Sequence, residues 1–257
     1  MDSASVRSLS RHRHRGSIGR FSHHFRDLQA QSGASQSHRL LETLGKGLPP
    51  RRPQETLLAK VYFRYAAMNA GKSTQLLQVR HNYHERHQRT LLLKPHMDNR
   101  EGEDVIAPRI GNIVAKVDAL VYPSTNLREL VEQDIQANGK LDCVLLDEAQ
   151  FLAPEQVMQL CEVADFLDIP SMCYGLRADF RARLFPGSGA LMALADDIEE
   201  LKTICWCGRK ATINARILEG HVLREGPQVL IGGNETYTAL CRKHWQLDQP
   251  LPPGLEP

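Results

Sequence analysis

The sequence, 257 residues long, predicts an α/β fold with a mostly parallel sheet flanked by helices, and a small metal-held module after it. Three observations carry this prediction. Strand-like and helix-like pieces alternate from residue 58 to about residue 200, the pattern of βαβ crossovers. Gly71-Lys72-Ser73 stands where the first strand meets the first helix. Near the far end of the chain Cys205, Cys207 and Cys241 gather beside His244.

Taken in order, Lys60-Val-Tyr-Phe-Arg-Tyr65 is rich in β-formers and runs directly into Ala66-Ala-Met-Asn-Ala-Gly-Lys-Ser-Thr74. Residues 73–87 carry Leu76, Leu77, Val79 and Tyr83 near helical spacing. Thr90-Leu-Leu-Leu-Lys94 is a short buried strand, followed by a polar segment over 95–112. Ile113–Val121 is strand-like, and 126–137 is a helix ending before Asn138-Gly139. Asp142-Cys-Val-Leu-Leu146 is a strand closed by Asp147-Glu148. Pro154 opens a helix over 154–168, since its fixed φ suits the first turn. Ser171-Met-Cys-Tyr174 is one more strand, and the alternation stops near residue 200.

Composition excludes several classes. With 42% hydrophobic and 24% charged residues, the chain has enough apolar material to build a core. No apolar run approaches the roughly 20 residues that span a bilayer, so no membrane partner is expected. The net charge of +2 hides an asymmetry: residues 1–55 hold ten Lys/Arg and four Asp/Glu, whereas the other 202 residues hold 22 and 26. Basic character thus sits in a Ser-, Arg- and His-rich leader that ends in Pro49-Pro-Arg-Arg-Pro53. It lacks the 7–15-residue apolar stretch of a secretory signal. An organellar transit peptide, a solvated tail and an upstream stretch from a start placed too early are its three remaining readings, the last two being the simpler. The resulting boundaries are a basic extension over 1–56, an α/β domain over 57–200, a metal-binding domain over 201–247 and an unstructured tail over 248–257.

Gly71-Lys72-Ser73 supplies the second half of a P-loop, in the required context after a strand and before a helix. Backbone N–H groups of such a loop curl around a phosphate, and the helix N-terminus adds partial positive charge. Lys72 would neutralise β- and γ-phosphate oxygens, and the Ser73 hydroxyl would ligate Mg²⁺. Ala66 stands where the motif has its first Gly, a tolerable change if the local φ is negative. The buried strand Val144-Leu-Leu146 then delivers Asp147 to the ligand end of the sheet, where it would hold the same ion. Glu148 is adjacent and free to act as a base. The sheet is therefore expected to be of the RecA-like P-loop type.

Cys205-Trp-Cys207, followed after 33 residues by Cys241-Arg-Lys-His244, offers three thiolates and one imidazole, a tetrahedral structural Zn²⁺ set. Strand-like Ala211–Leu218 and Gln228–Ile231 between them suggest a zinc-held β-ribbon. Cys143, Cys161 and Cys173 lie in apolar runs, as small buried hydrophobes do. A disulfide framework fits this usage poorly, and a reducing cytoplasm fits it well.

In this order the P-loop, the Asp-Glu strand and the Cys/His knuckle resemble the zinc-containing, type II thymidine kinases, in their bacterial branch. The likeness covers about residues 58–247, on Ala66–Thr74, Asp98-Asn-Arg100, Asp147-Glu-Ala-Gln-Phe151, Tyr174-Gly-Leu-Arg-Ala-Asp-Phe180, Ile231-Gly-Gly-Asn-Glu-Thr-Tyr237 and Cys241–His244. The resemblance implies ATP-dependent phosphorylation of the thymidine 5′-hydroxyl, with Glu148 as general base and Arg100 near the phosphates. It implies an ATP/Mg²⁺ site from Ala66, Ala67, Met68, Asn69, Ala70, Gly71, Lys72, Ser73, Thr74, Asp98, Asp147, Glu148, Ala149 and Gln150. It also implies a loop that encloses the nucleoside, built from Gln228, Val229, Leu230, Ile231, Gly232 and Tyr237, against a wall of Met68, Leu176, Phe180 and Phe185. Without the resemblance, those Met and Phe side chains are ordinary core. A cytoplasmic homotetramer serving DNA synthesis is the further implication.

Two rivals share some of these features. A P-loop ATPase of helicase type would need a second core or a ring with DNA-facing loops, and the acidic 202 residues offer no basic stripe. A zinc-ribbon module binding nucleic acid would leave Glu148 and Tyr237 without roles, so no nucleic-acid partner is expected.

Overall fold

The computed structural model describes residues 59–96, 104–108, 113–229 and 236–255, all within the compact unit Thr56–Pro257. The expectations placed on the leader, Asp98, Arg100, Leu230, Ile231 and Gly232 therefore lie outside the described residues.

Strands β1 (Val61–Ala66), β2 (Thr90–Pro95), β5 (Ala119–Val121), β6 (Cys143–Leu146), β7 (Ser171–Leu176) and β8 (Asp197–Glu200) form one sheet in the order β5-β2-β6-β7-β1-β8. Every pairing in it is parallel. Period-2 alternation divides each central strand between two cores. Leu91, Leu93, Val144 and Leu146 face one side, where they join Leu160, Val163 and Leu191 from helices α3 (Pro154–Leu167) and α4 (Pro186–Leu194). Helix α2 (Leu127–Asn138) adds Leu127 and Val131 to that side. Leu92 and Leu145 face the other, against Leu76 and Leu77 of helix α1 (Lys72–Glu85). Burial on both faces explains why these strands are nearly continuous apolar runs.

Local chemistry fixes the helix ends. Asn126 caps α2 by accepting from the Arg128 and Glu129 N–H groups at 3.1 and 3.2 Å. Gln156, in the first turn of α3, accepts from Ala153 N at 3.0 Å. Its amide also donates to the Tyr122 and Thr125 carbonyls, tying α3 to the loop before α2.

Four segments differ from expectation. The single strand expected over 113–121 is two pieces, β4 (Ala115–Lys116), paired with β3 (Val105–Ile106), and β5. The break falls at Asp118, whose carboxylate accepts from Leu92 N at 2.7 Å and pairs with Arg80. Residues 175–200, to which the sequence pattern assigns no element, hold α4 and β8, and these carry the alternation to its expected end near residue 200. In the C-terminal module, β9 (Ile213–Leu218) pairs antiparallel with β10 (His221–Val222) and with β11 (Tyr237–Leu240). Gln228 and Val229, expected to begin a strand, are irregular; the partner strand starts at Tyr237. The expected loose tail is tied down at its start. Asp248 accepts from Val222 N and pairs with His221 at 2.7 Å, and Trp206 donates to the Gln249 carbonyl at 3.1 Å.

Candidate functional site

Because β7 lies between β1 and β6, the loop after β1 and the acid after β6 face each other across one strand's width at the carboxyl edge of the sheet. Gly71 has φ +78° at the junction with α1, a left-handed turn that glycine makes without strain. Asn69 also has positive φ, +63°, a conformation that Asn tolerates better than most side chains. The turn releases α1 with Lys72 and Ser73 in its first turn. Lys72 is buried, and its ammonium donates back to the Ala67 carbonyl at 3.2 Å, crossing the loop.

Ser73 Oγ donates to Asp147 Oδ2 at 2.8 Å. Asp147 is 3% exposed, and its other oxygen accepts from Glu148 N–H at 3.0 Å. Burial, and next the Glu148 charge, push the Asp147 carboxyl above the ordinary carboxylate range; Ser73 and Lys72 oppose them. A buried carboxylate beside a second acid is costly unless a cation compensates it. The hydroxyl–carboxylate pair beside the phosphate loop is oxygen-only, the donor set that suits Mg²⁺. Glu148 has φ +51° and opens a 3-10 turn, Ala149–Phe151, with Ala149 and Gln150 buried within it. Ala66 and Ala67 are buried at the end of β1, while Ala70 and Thr74 are half-buried.

The second cluster joins the parallel sheet to the C-terminal module. Met68 N–H donates to Asn214 Oδ1 of β9 at 2.7 Å, so the phosphate loop leans on that strand. Arg216, two residues on and 2% exposed, lays its guanidinium 4.0 Å from the centre of the Phe180 ring. It donates to Tyr237 Oη at 2.7 and 3.0 Å and to the Pro227 and Gln228 carbonyls at 3.0 and 3.4 Å. Asp179, buried beside it, pairs with Arg181 at 2.9 Å and accepts from Gln228 Nε2 at 3.2 Å. Phe180, Gln228 and Tyr237 are thus brought together. Leu176 is anchored by its backbone, Val229 is half-buried, and Phe185 packs edge-on against Phe151 at 5.8 Å. Sequence reasoning missed Asn214, Arg216, Asp179 and Arg181 as organisers. The only signal for the first two is that alternate positions of Ile213-Asn-Ala-Arg216 are polar in a strand buried over all four residues.

Cys205, Cys207, Cys241 and His244 place their ligand atoms within 4.8 Å of one another, as the sequence predicts. Cys205 Sγ lies 3.4 Å from His244 Nδ1, and Cys207 Sγ lies 3.9 Å from Cys241 Sγ. A tetrahedral zinc with ordinary bond lengths separates S and N by about 3.5 Å and two sulfurs by about 3.8 Å. The donor set and its spacing therefore fit that metal, with Nδ1 the nitrogen turned inward. Trp206 stacks on the His244 ring at 4.0 Å and 7°, covering the ligand from outside.

A phosphate loop and an acid pair on a parallel sheet, with a Cys/His-bearing module leaning on the loop, define a P-loop nucleotide-binding protein with an appendage built around a candidate metal site. A family model described as thymidine kinase matches residues 59–245. The chain is 53% identical over 191 residues to a thymidine kinase of Xanthomonas oryzae pv. oryzae, covering 74% of this chain and 90% of that one. It is 53% identical over 190 residues to one of Ruegeria pomeroyi, covering 74% and 94%. Against one of Legionella pneumophila the figure is 53% over 191 residues, covering 74% and 90%. The chain belongs to the thymidine kinase family. Among the described residues no helix is long and apolar enough to cross a membrane.

Proposed function

We propose that this chain transfers the γ-phosphoryl group of ATP to the 5′-hydroxyl of thymidine, giving thymidine monophosphate and ADP. The observation that carries the reading is the pairing of Ser73 with Asp147, beside Lys72 and next to Glu148, in a member of this family. The Gly71–Ser73 N–H groups and the Lys72 ammonium bind the phosphates. Ser73 and Asp147 would hold Mg²⁺, which when bound offsets the charge on the β- and γ-phosphate oxygens. Glu148 takes the proton of the 5′-hydroxyl as that oxygen forms its bond to the γ-phosphorus and the bond to the β-phosphate oxygen breaks. Because phosphoryl transfer depends mainly on alignment and charge stabilisation, the base need not be strong. Asp98 and Arg100, matched on the family motif, would serve the metal and the γ-phosphate oxygens.

Met68, Leu176, Phe180, Phe185 and Tyr237, together with the family-matched segment Gln228–Gly232, would hold the nucleoside. Main-chain groups of that segment can match the polar edge of thymine, and Arg216 supports the reading by donating to the Pro227 and Gln228 carbonyls where the segment begins. Zn²⁺ held by Cys205, Cys207, Cys241 and His244 would cross-link the module that carries the segment. We further propose a cytoplasmic homotetramer that supplies nucleotides for DNA synthesis.

The test is ADP production from ATP and Mg²⁺ with and without thymidine, comparing wild type with Glu148→Gln. Thymidine-dependent turnover that falls by about 10²–10⁴-fold in the variant, with ATP binding intact, is the expected result. Turnover indifferent to thymidine would make the chain an ATPase and overturn the reading.

A further inference from the structure

Gln150 lies in the 3-10 turn just after Asp147-Glu148 and is 1% exposed. Its carboxamide joins two elements. Nε2 donates to the Glu148 carboxylate, and Oε1 accepts from the Leu176 N–H at 2.9 Å, at the end of β7. Leu176 is itself fixed from the other side, because Ser188 of α4 donates to its carbonyl. Gly175 makes the room that this docking needs. A Cβ there would stand 2.7 Å from Gln150 Oε1, closer than real contacts allow, and a tight 3.0 Å from Gln150 N.

Glu148 needs such a grip. It has left-handed backbone at the turn after β6, where neither a strand's pleat nor a helix's face dictates the direction of its side chain. A carboxylate that must meet a hydroxyl in line with a phosphorus loses rate steeply with misplacement, on the order of 10²-fold for an ångström. The hydrogen bond from Gln150 holds it, and the Leu176 N–H gives Gln150 a fixed reference on β7, the strand between the phosphate loop and the acid pair.

We infer that Gln150 is a positioning residue, which orients the Glu148 carboxylate toward the acceptor hydroxyl and references that orientation to β7 through Leu176. The inference rests on the reading of Glu148 as the base. It differs from a direct contact of Gln150 with nucleotide, which would appear in ATP affinity, and from plain core satisfaction, which would appear only in stability.

A double-mutant cycle on the full chain separates these roles. Gln150→Met keeps volume and neutrality while removing both hydrogen bonds. Its kcat is expected to fall on the order of 10–10²-fold, with the KM values for ATP and thymidine within about threefold of wild type. In a Glu148→Gln background the same substitution should change the residual kcat by less than about threefold, because Gln150 acts through Glu148. Gly175→Ala leaves Gln150 chemically intact but displaces its amide, and should also lower kcat at unchanged KM. Thermal melting and ATP binding of each variant show whether the fold is retained. Equal loss in both Glu148 backgrounds, a rise confined to the ATP KM, or folded variants with wild-type kcat would each overturn the positioning role. Full thymidine-dependent activity in Glu148→Gln alone would remove the base itself, a separate and prior failure.

Discussion

Around the parallel sheet, Phe63, Leu92, Leu145, Leu146 and Leu160 are fully buried, and both faces are covered by helices. Among the described residues, the three-stranded module clusters Cys205, Ala211, Ala215, Val222, Leu240 and Cys241, of which two belong to the candidate metal set. The sheet stands on hydrophobic burial. The module has little apolar volume for that, as is common in small domains, and the proposed zinc would supply the missing cross-link. Under the proposed function each region holds part of one site: the phosphate loop and acids on the sheet, and Asn214, Arg216 and Tyr237 on the module. On that reading, phosphate binding is tied to a hydrophobic core and nucleoside binding to a metal.

That contrast can be broken experimentally, and the largest effect is expected from the metal. Zinc affinities of about 10–16 kcal/mol in small metallo-domains are folding energy for the domain that binds. Cys241→Ser should therefore abolish amide-exchange protection in β9 and β11 and leave that of β2, β6 and β7 in place. Melting of all five strands together would show that the module is not a separate energetic unit. Next in size is Leu145→Ala, which empties the sheet's core and should cost about 2–5 kcal/mol in denaturant unfolding. It should lower the affinities for ATP and thymidine together or neither, since it lies behind both.

Arg216→Met should act in the opposite sense, with little change in the ATP KM and a rise in the thymidine KM on the order of tenfold or more. Bonds from a charged donor contribute about 1.5–3 kcal/mol each, and four acceptor contacts from Tyr237, Pro227 and Gln228 are lost. Steady-state kinetics with either substrate varied would show the split, and equal changes in both KM values would blur the division. The smallest effect belongs to Asn214→Ala, which deletes the bond to Met68 N–H. A loss of about 1 kcal/mol, divided between ATP and nucleoside affinity, is expected from titration calorimetry.

Much of the sheet was legible because period and punctuation agree there. Leu91–Leu93 and Val144–Leu146 are apolar runs of strand length, and Asn126 and Pro154 mark helix starts with a physical reason. Helix α4 escaped because Pro-Gly-Ser-Gly opens it and only nine residues form it, so its helical period is too short to stand out. Strand β8, Asp-Ile-Glu-Glu, is an acidic edge that resembles a loop in sequence, and its pairing with β1 is nonlocal. The pairing of Asp147 with Ser73 and the Cys/His cluster were legible because the chemistry expected of them demands particular residue types at particular places. Gln150, Asn214 and Arg216 were not legible as organisers. Their roles arise from contacts with residues brought near by folding, Leu176 for the first, Met68 for the second and Tyr237 for the third.

The most direct test of the divided site is calorimetric titration of the full chain before and after metal removal by a chelator strong enough to strip zinc. One titrant is a non-hydrolysable ATP analogue with Mg²⁺ restored, and the other is thymidine. Analogue affinity within about threefold of the untreated protein, with thymidine binding lost, is the predicted result. Parallel loss of both ligands, or thymidine binding untouched by zinc removal, would contradict a metal-held module that serves chiefly the nucleoside.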